Sequence, residues 1–292
     1  MSKMILITGA STGFGRDAAE TLADAGHRVF ASMRDINGRN RPHARALAEK
    51  GIDIVELDVT DDASVERGVA SAVKKAGRLD VVINNAGIGA AGVSEAFTPE
   101  QAHALFNVNV GGIQRTLRAV LPVFRRQRHG LVVNIGSILG RVTFPFFGLY
   151  GASKFAVEAL TDSYRYELSQ LGIDVVLMQP SNYPTSIFAN ALLPADNARV
   201  AEYGEIGGIP DKMVQTLMDL FQSDGAPDPH DVAKAIKDVV EQPQGSRPAR
   251  VVVGQSFGTD LLNNQSAAVQ TELLGGLGLG FLGDAQKATS EV

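Results

Sequence analysis

The chain has 292 residues, 45% hydrophobic and 20% charged, a balance that supports a folded core and excludes a disordered polyelectrolyte. A net charge of −5 argues against general nucleic-acid affinity, and the absence of cysteine excludes disulfides, thiolate catalysis and Cys-zinc sites. No run of 18 apolar residues occurs and the apolar stretch near Met1 is too brief for a signal peptide, so a cytoplasmic protein without a membrane span is expected.

Up to about residue 180, short β-branched runs alternate with helical stretches. Ile5 to Ile7 reads as a first strand, and Gly13 to Ala25 as a helix stopped by Gly26. Arg28 to Met33 is a second strand and Asp53 to Leu57 a third. Asp61 to Lys75 is a helix with acidic residues in its first turn, followed by strand Val81 to Ile83. Pro99 to about Gln127 reads as one long helix, bent or interrupted near Gly111-Gly112. Leu131 to Ile135 is a fifth strand, Leu149 to Leu171 a second long helix, and Asp174 to Met178 a sixth strand. Such repeats predict an α/β fold, a doubly wound parallel sheet with helices on both faces.

After Pro180 the rhythm changes. Ile187 to Phe221 has helical spacing broken by Pro194, Gly207-Gly208 and Pro210. Asp228 and Pro229 open a helix running to Glu241, and Arg250 to Val253 makes a seventh strand. Leu273 to Gly283 is apolar and glycine-rich, fitting either a cover over a site or subunit, or a frayed end. No linker or repeat appears, so a single domain over 1–255 with a C-terminal extension, 256–292, is expected.

Three motifs sit at predicted strand ends. Thr8-Gly9-Ala10-Ser11-Thr12-Gly13-Phe14-Gly15 follows strand one, where glycines let the backbone approach a pyrophosphate at a helix N-terminus; a plain tight turn is the alternative. Asn84-Asn85-Ala86-Gly87 follows strand four, in position to line a ligand crevice or to close a turn. Asp58-Val59 follows strand three, where the carboxylate suits an adenine amino group or a helix entry. Tyr150 and Lys154, four apart on a helix, project from one face. An ammonium beside a phenol favours the phenolate and lowers a pKa that is ordinarily about 10. Ser137 lies thirteen residues upstream, placed to hold a substrate oxygen.

In this order and spacing, together with Asn109 in Phe-Asn-Val-Asn-Val-Gly-Gly, the motifs resemble the short-chain dehydrogenase/reductase family, in its short-subunit branch with TGxxxGxG and YxxxK. The resemblance is close over about residues 3 to 185 and implies a Rossmann-type sheet. It implies Tyr150 as general acid in carbonyl reduction and base in alcohol oxidation. Lys154 would bind the nicotinamide ribose, Ser137 would orient the carbonyl, and Asn109 would hold a water leading to Lys154. Gly9, Ser11, Thr12, Gly13, Phe14, Gly15, Asp58, Val59, Asn85, Ala86, Gly87, Pro180 and Thr185 would contact the dinucleotide, with Tyr150 and Lys154. Ser181 departs from the glycine usual after Pro180.

Cofactor preference turns on the end of strand two. The position usually acidic in NAD enzymes holds Met33, followed by Arg34, with Ser32 before it. A guanidinium suits a 2′-phosphate, and Ser32 adds a hydroxyl, so NADP(H) is expected over NAD(H); Asp35 would oppose this by pairing with Arg34. The resemblance also places residues about 187–222 around the substrate, with Leu139, Val142, Phe144, Phe146, Phe147, Leu149, Tyr183, Ile187, Phe188, Leu192 and Leu193 as apolar candidates. A hydrophobic ketone, aldehyde or secondary alcohol fits such walls better than an anion. The five histidines (27, 43, 103, 129, 230) lack ligand spacing, so surface positions and no metal are expected. A homodimer or homotetramer follows by resemblance. The competing reading is a non-catalytic NADPH sensor, which would not need the acid/base pair. An enoyl reductase is disfavoured by the Tyr–Lys spacing, and a larger-subunit epimerase or dehydratase by the glycine spacing and the short C-terminal part.

Overall fold

The computed structural model describes residues 1–223 and 225–283, without the side chains of Phe188 and Ala189. Its elements are β1 (Met4–Ile7), α1 (Gly13–Asp24), β2 (Arg28–Met33), α2 (Arg41–Ala48), β3 (Asp53–Glu56), α3 (Asp62–Ala76) and β4 (Val81–Asn84). There follow α4 (Pro99–Phe106), α5 (Gly112–Gln127), β5 (Gly130–Ile135), α6 (Gly148–Leu168) and β6 (Ile173–Pro180). The last part holds α7 (Ser186–Ala189), α8 (Asn197–Glu202), α9 (Ile209–Phe221), α10 (His230–Glu241), β7 (Arg250–Val253) and α11 (Thr259–Gly276).

The seven strands form one parallel sheet in the order β3-β2-β1-β4-β5-β6-β7. Side chains alternate across it. Ile5 and Ile7 of β1 pack with Leu22 of α1 and Ile236 of α10; Leu6 between them packs on the opposite face with Val69 of α3 and Leu117 of α5. Both faces are therefore covered, which explains the near-continuous apolar strands.

Local chemistry sets the helix ends. The Asp61 carboxylate accepts from Ser64 N at 2.7 Å to cap α3, and Gly77 at φ +78° ends it. A reciprocal Thr98/Gln101 capping box opens α4. The expected break in the long helix is a π-helical turn, Asn107–Gly111, joining α4 to α5. Two helices escaped the sequence reading. Helix α2 is only eight residues long and buries just Ala44 and Leu47, too short a pattern to stand out, and in α11 apolar residues are spread around the axis without a clear stripe.

Candidate active site

Strand order reverses between β1 and β4, whose neighbours lie on opposite sides. The crevice at the C-terminal ends of these strands is where a doubly wound sheet receives ligands. Thr8 and Asn85 tie its edges together. Thr8 Oγ1 accepts from Asn85 N at 3.0 Å and Ala86 N at 3.1 Å, and Asn85 Nδ2 donates to Thr8 O at 2.9 Å and Gly9 O at 3.0 Å. Gly9 sits at φ +66°, and a methyl there would lie 2.8 Å from Ala86 Cα. A methyl on Gly15 would collide with the Asn85 amide, so this glycine serves close packing and does not line the cavity. Gly9, Ser11, Thr12, Gly13 and Phe14 do line it. Thr12 precedes α1 without capping it by its side chain, which leaves first-turn N–H groups free for an anion.

The cavity encloses about 770 Å³ and runs from Arg34, Arg39 and His43 at one end to Ser137, Tyr150 and Lys154 at the other. Asp58, Val59, Asn85, Ala86, Gly87, Pro180 and Thr185 lie along it. One oxygen of Asp58 accepts from Thr60 N at 2.9 Å and Thr60 Oγ1 at 2.7 Å, which fixes the carboxylate. Thr12 and Ser186 meet across the opening, Oγ to Oγ, at 2.9 Å.

At the β2 end three expectations change. Ser32 is fully buried inside the strand, opposite Val55, does not line the cavity, and its hydroxyl has no hydrogen-bond partner among the described residues. Asp35, at φ +52°, accepts from Arg39 N at 2.7 Å instead of pairing with Arg34. His43, expected at the surface, lines the cavity with Arg39 and Asn40. Among the described residues neither Arg34 nor Arg39 has an ion-pair partner. The basic stretch Arg39-Asn40-Arg41-Pro42-His43 held the signal, but its short helix hid it.

At the other end, Ser137 follows β5 and its Oγ accepts from Leu139 N at 3.1 Å, opening a 3-10 turn, Ile138–Gly140. Lys154 is 6% exposed; its Nζ donates to Ile135 O at 2.9 Å and lies 5.6 Å from the Tyr150 ring centroid. Asn109, in the π turn, is 2% exposed. Its Oδ1 accepts from Ile88 N at 2.9 Å, and its Nδ2 donates to Ile88 O and Ser153 Oγ, each at 3.0 Å. Both amide hydrogens are thus spent on protein partners. Ser153, which the sequence reading passed over within the Tyr–Lys motif, donates to Tyr150 O at 2.7 Å. An inserted π turn re-aims one side chain out of helical register, and here that side chain ties the loop after β4 to α6.

Electrostatics differ from the sequence expectation. Burial pushes the Tyr150 phenol up to about 12, with a hydrogen bond to Ser137 acting the other way. Burial also pulls the Lys154 ammonium down to about 8. In the protein alone, burial dominates both shifts and favours the neutral form of each group.

Leu139, Phe144, Phe147, Ile187, Met213 and Leu217 form an apolar wall beside Tyr150. Of the other candidates, Tyr183 lines the cavity and packs edge-on against Phe14, centroids 5.7 Å apart. Val142, Phe146, Leu149 and Leu192 do not line it, and Leu193 is 62% exposed. Phe188 lies outside the described residues. Arg141 turns from the wall to Glu158, 3.1 Å away. Ser181 continues the sheet, donating from its N–H to Val253 O at 2.9 Å.

Comparison with known proteins gives the same class. The short chain dehydrogenase family model matches residues 3–194. A 3-ketodihydrosphingosine reductase of Bacteroides thetaiotaomicron is 38% identical over 188 residues, which cover 64% of this chain and 66% of that one. Human retinol dehydrogenase 8 is 31% identical over 82% of this chain and 78% of its own. The crystal structure of a short-chain dehydrogenase from Streptomyces avermitilis superposes with a TM-score of 0.75, at 30% identity, over 94% of this chain and 95% of that one. The chain belongs to the short-chain dehydrogenase/reductase family. It is an oxidoreductase of carbonyl and alcohol groups.

Proposed function

We propose that the protein is an NADP(H)-dependent enzyme that interconverts a hydrophobic ketone or aldehyde and its alcohol. The observation that carries this reading is the convergence of Ser137, Tyr150 and Lys154 at one end of a cavity whose other end presents the Arg34 and Arg39 side chains, neither of them ion-paired among the described residues. The cavity fits a dinucleotide: Gly13, at φ +57° on its wall, has only Thr185 and Ser186 within 4 Å of where a Cβ would stand, and α1 offers its N-terminus there. Arg34 and Arg39, with His43, would hold a 2′-phosphate, and Lys154 the nicotinamide ribose. When bound, the nicotinamide supplies or accepts the hydride.

The residues of the chain do the rest. Ser137 donates to the substrate oxygen and fixes it beside the phenol. Tyr150, protonated through neutral pH, gives its proton to that oxygen as negative charge develops there. In the reverse direction the phenolate takes the alcohol proton. Lys154 stabilises this anion, and Asn109 with Ser153 keeps Tyr150 and the loop at Ile88 in place. The apolar wall excludes water and selects hydrocarbon over charge. The names of the two relatives point the same way, since ketodihydrosphingosine and retinol are both largely hydrocarbon. Assembly as a homodimer or homotetramer and a cytoplasmic setting complete the proposal.

Dissociation constants for NADPH and NADH, followed by turnover on apolar and anionic carbonyls, test it. Tighter NADPH binding and turnover of the apolar set are expected. Tighter NADH binding, or efficient reduction of a dicarboxylate, would overturn it. Tight NADPH binding without turnover of any carbonyl would favour the sensor.

A further inference from the structure

Helix α11 is inside out. The residues it turns inward are polar but for one, with Thr259 buried and Asn263, Ser266, Gln270 and Leu274 half-buried, while Leu261, Val269 and Leu273 are 59%, 64% and 52% exposed. A helix attached in this way gains little from apolar burial, so its place depends on particular hydrogen bonds.

Those bonds converge on a buried cluster of charges. Glu158, 3% exposed, lies one helical turn beyond Lys154 on α6. Its carboxylate meets Arg250 Nε at 3.0 Å and Arg141 at 3.1 Å, and accepts from the Gln179 amide. Asp162 holds the other side of Arg250, so two carboxylates balance two guanidiniums. Asn263 is seated among them. Its Oδ1 accepts from Arg141 Nε at 3.1 Å and Gln179 Nε2 at 3.3 Å, and its Nδ2 donates to Gln179 Oε1 at 2.7 Å. Ser266 Oγ adds an acceptor for Arg141 at 3.4 Å.

Buried ion pairs contribute little net stability, because desolvation offsets most of their attraction, but leaving one partner alone is costly, so they hold geometry. The geometry held here is the turn that carries Ser137. Arg141 closes that turn, its N–H donating to Ile138 O at 2.9 Å after Gly140 N donates to Ser137 O at 3.0 Å. The turn is pressed onto α6, where a methyl on Gly140 would lie 2.8 Å from Glu158 Cγ and 3.0 Å from Lys154 O. Just before α11, Phe257 meets Phe144 of the cavity wall edge-on, centroids 5.6 Å apart.

We propose that Asn263 is a positioning residue: by joining α11 to Arg141 and Gln179 it holds the Ser137 turn, and so the carbonyl-orienting hydroxyl, in place beside Tyr150. This rests on the role given to Ser137 above. Asn263→Ala and Asn263→Asp in the full chain test it, the second keeping an acceptor for Arg141. Measured would be kcat, KM, the dinucleotide dissociation constant and amide hydrogen exchange. For Asn263→Ala, kcat falls about tenfold, dinucleotide affinity stays within about twofold, and exchange accelerates about tenfold at residues 138–142 but not in β1 or β4. Asn263→Asp, which keeps the acceptor for Arg141 but gives up the donor to Gln179 and adds a third carboxylate to the cluster, recovers part of the protection at the turn. Unchanged exchange at the turn, or acceleration spread over the whole sheet, would overturn the proposal. If the wild type reduces no carbonyl, the functional reading fails, and exchange at the turn still decides whether Asn263 holds it.

Discussion

The sheet with its flanking helices and the segment after β6 are built on different terms. From β1 to β6 the packing is apolar on both faces, with Leu6, Ile83, Leu117, Val132 and Leu177 all at 0% exposure. Beyond β6, α10 joins that core, together with Tyr183 and, from β7, Val253. The segment from α8 to α9 and α11 leave Ile206, Leu220, Leu261 and Leu273 more than 40% exposed and attach through polar contacts such as Tyr203 to Glu95 at 2.8 Å. The sheet places Ser137, Tyr150 and Lys154 rigidly, while the later segment shapes what reaches them. A scaffold that fixes chemistry and a weakly packed rim that varies specificity is a common division of labour.

That contrast can be broken by mutation. Leu117→Ala, in the buried core, is expected to cost about 2–5 kcal/mol by denaturant titration. A cost below about 1 kcal/mol would mean the core tolerates a cavity and the contrast is false. Lys154→Met should separate activity from stability. Turnover falls at least about 100-fold, yet unfolding free energy at pH 7 rises by about 1–3 kcal/mol, because a buried ammonium held at about 8 resists folding. The sign follows from proton counts. Unfolded Lys binds more protons than folded Lys154 between about pH 8 and pH 10.5, so wild-type stability rises through that window, and the raised Tyr150 value opposes it only above about pH 10. The variant should lack the rise.

Arg34→Ala with Arg39→Ala sharpens the view of the cofactor end. NADPH affinity should fall about 10–100-fold, as expected for lost charge-assisted hydrogen bonds, with NADH affinity little changed. An equal loss for both dinucleotides would show that these guanidiniums do not read a 2′-phosphate. The smallest effect belongs to the rim: Leu273→Ala should change stability by no more than about 0.5 kcal/mol. A larger loss in the monomer would mean that α11 is better packed than its exposure indicates.

Legibility from sequence divides along the same line. The seven strands were readable because parallel strands buried on both faces are short apolar runs, and the glycines, Asn85 and the Tyr–Lys pair stand at their ends. The end of β2 was half legible. Arg34 was visible, but strand boundaries alone could not show that Ser32 stays inside the sheet or that α2 brings Arg39 and His43 back to the cavity. Asn109 was recognised as a position, but its partners depend on a π turn, a backbone feature with no residue signature beyond the neighbouring glycines. The Tyr150 value ran opposite to expectation because a spacing of four residues reports proximity to Lys154 and says nothing of burial. Asn263, more than a hundred residues from Arg141, had no local signal at all.

NADPH oxidation over a panel of ketones, aldehydes, quinones and steroids, with wild type and Tyr150→Phe side by side, tests most directly whether this site transfers a proton with the hydride. The expected result is turnover by the wild type and a loss of about 10²–10⁴-fold in the variant, with NADPH binding unchanged. Equal turnover by both proteins would contradict it, since the phenol would then not be the acid.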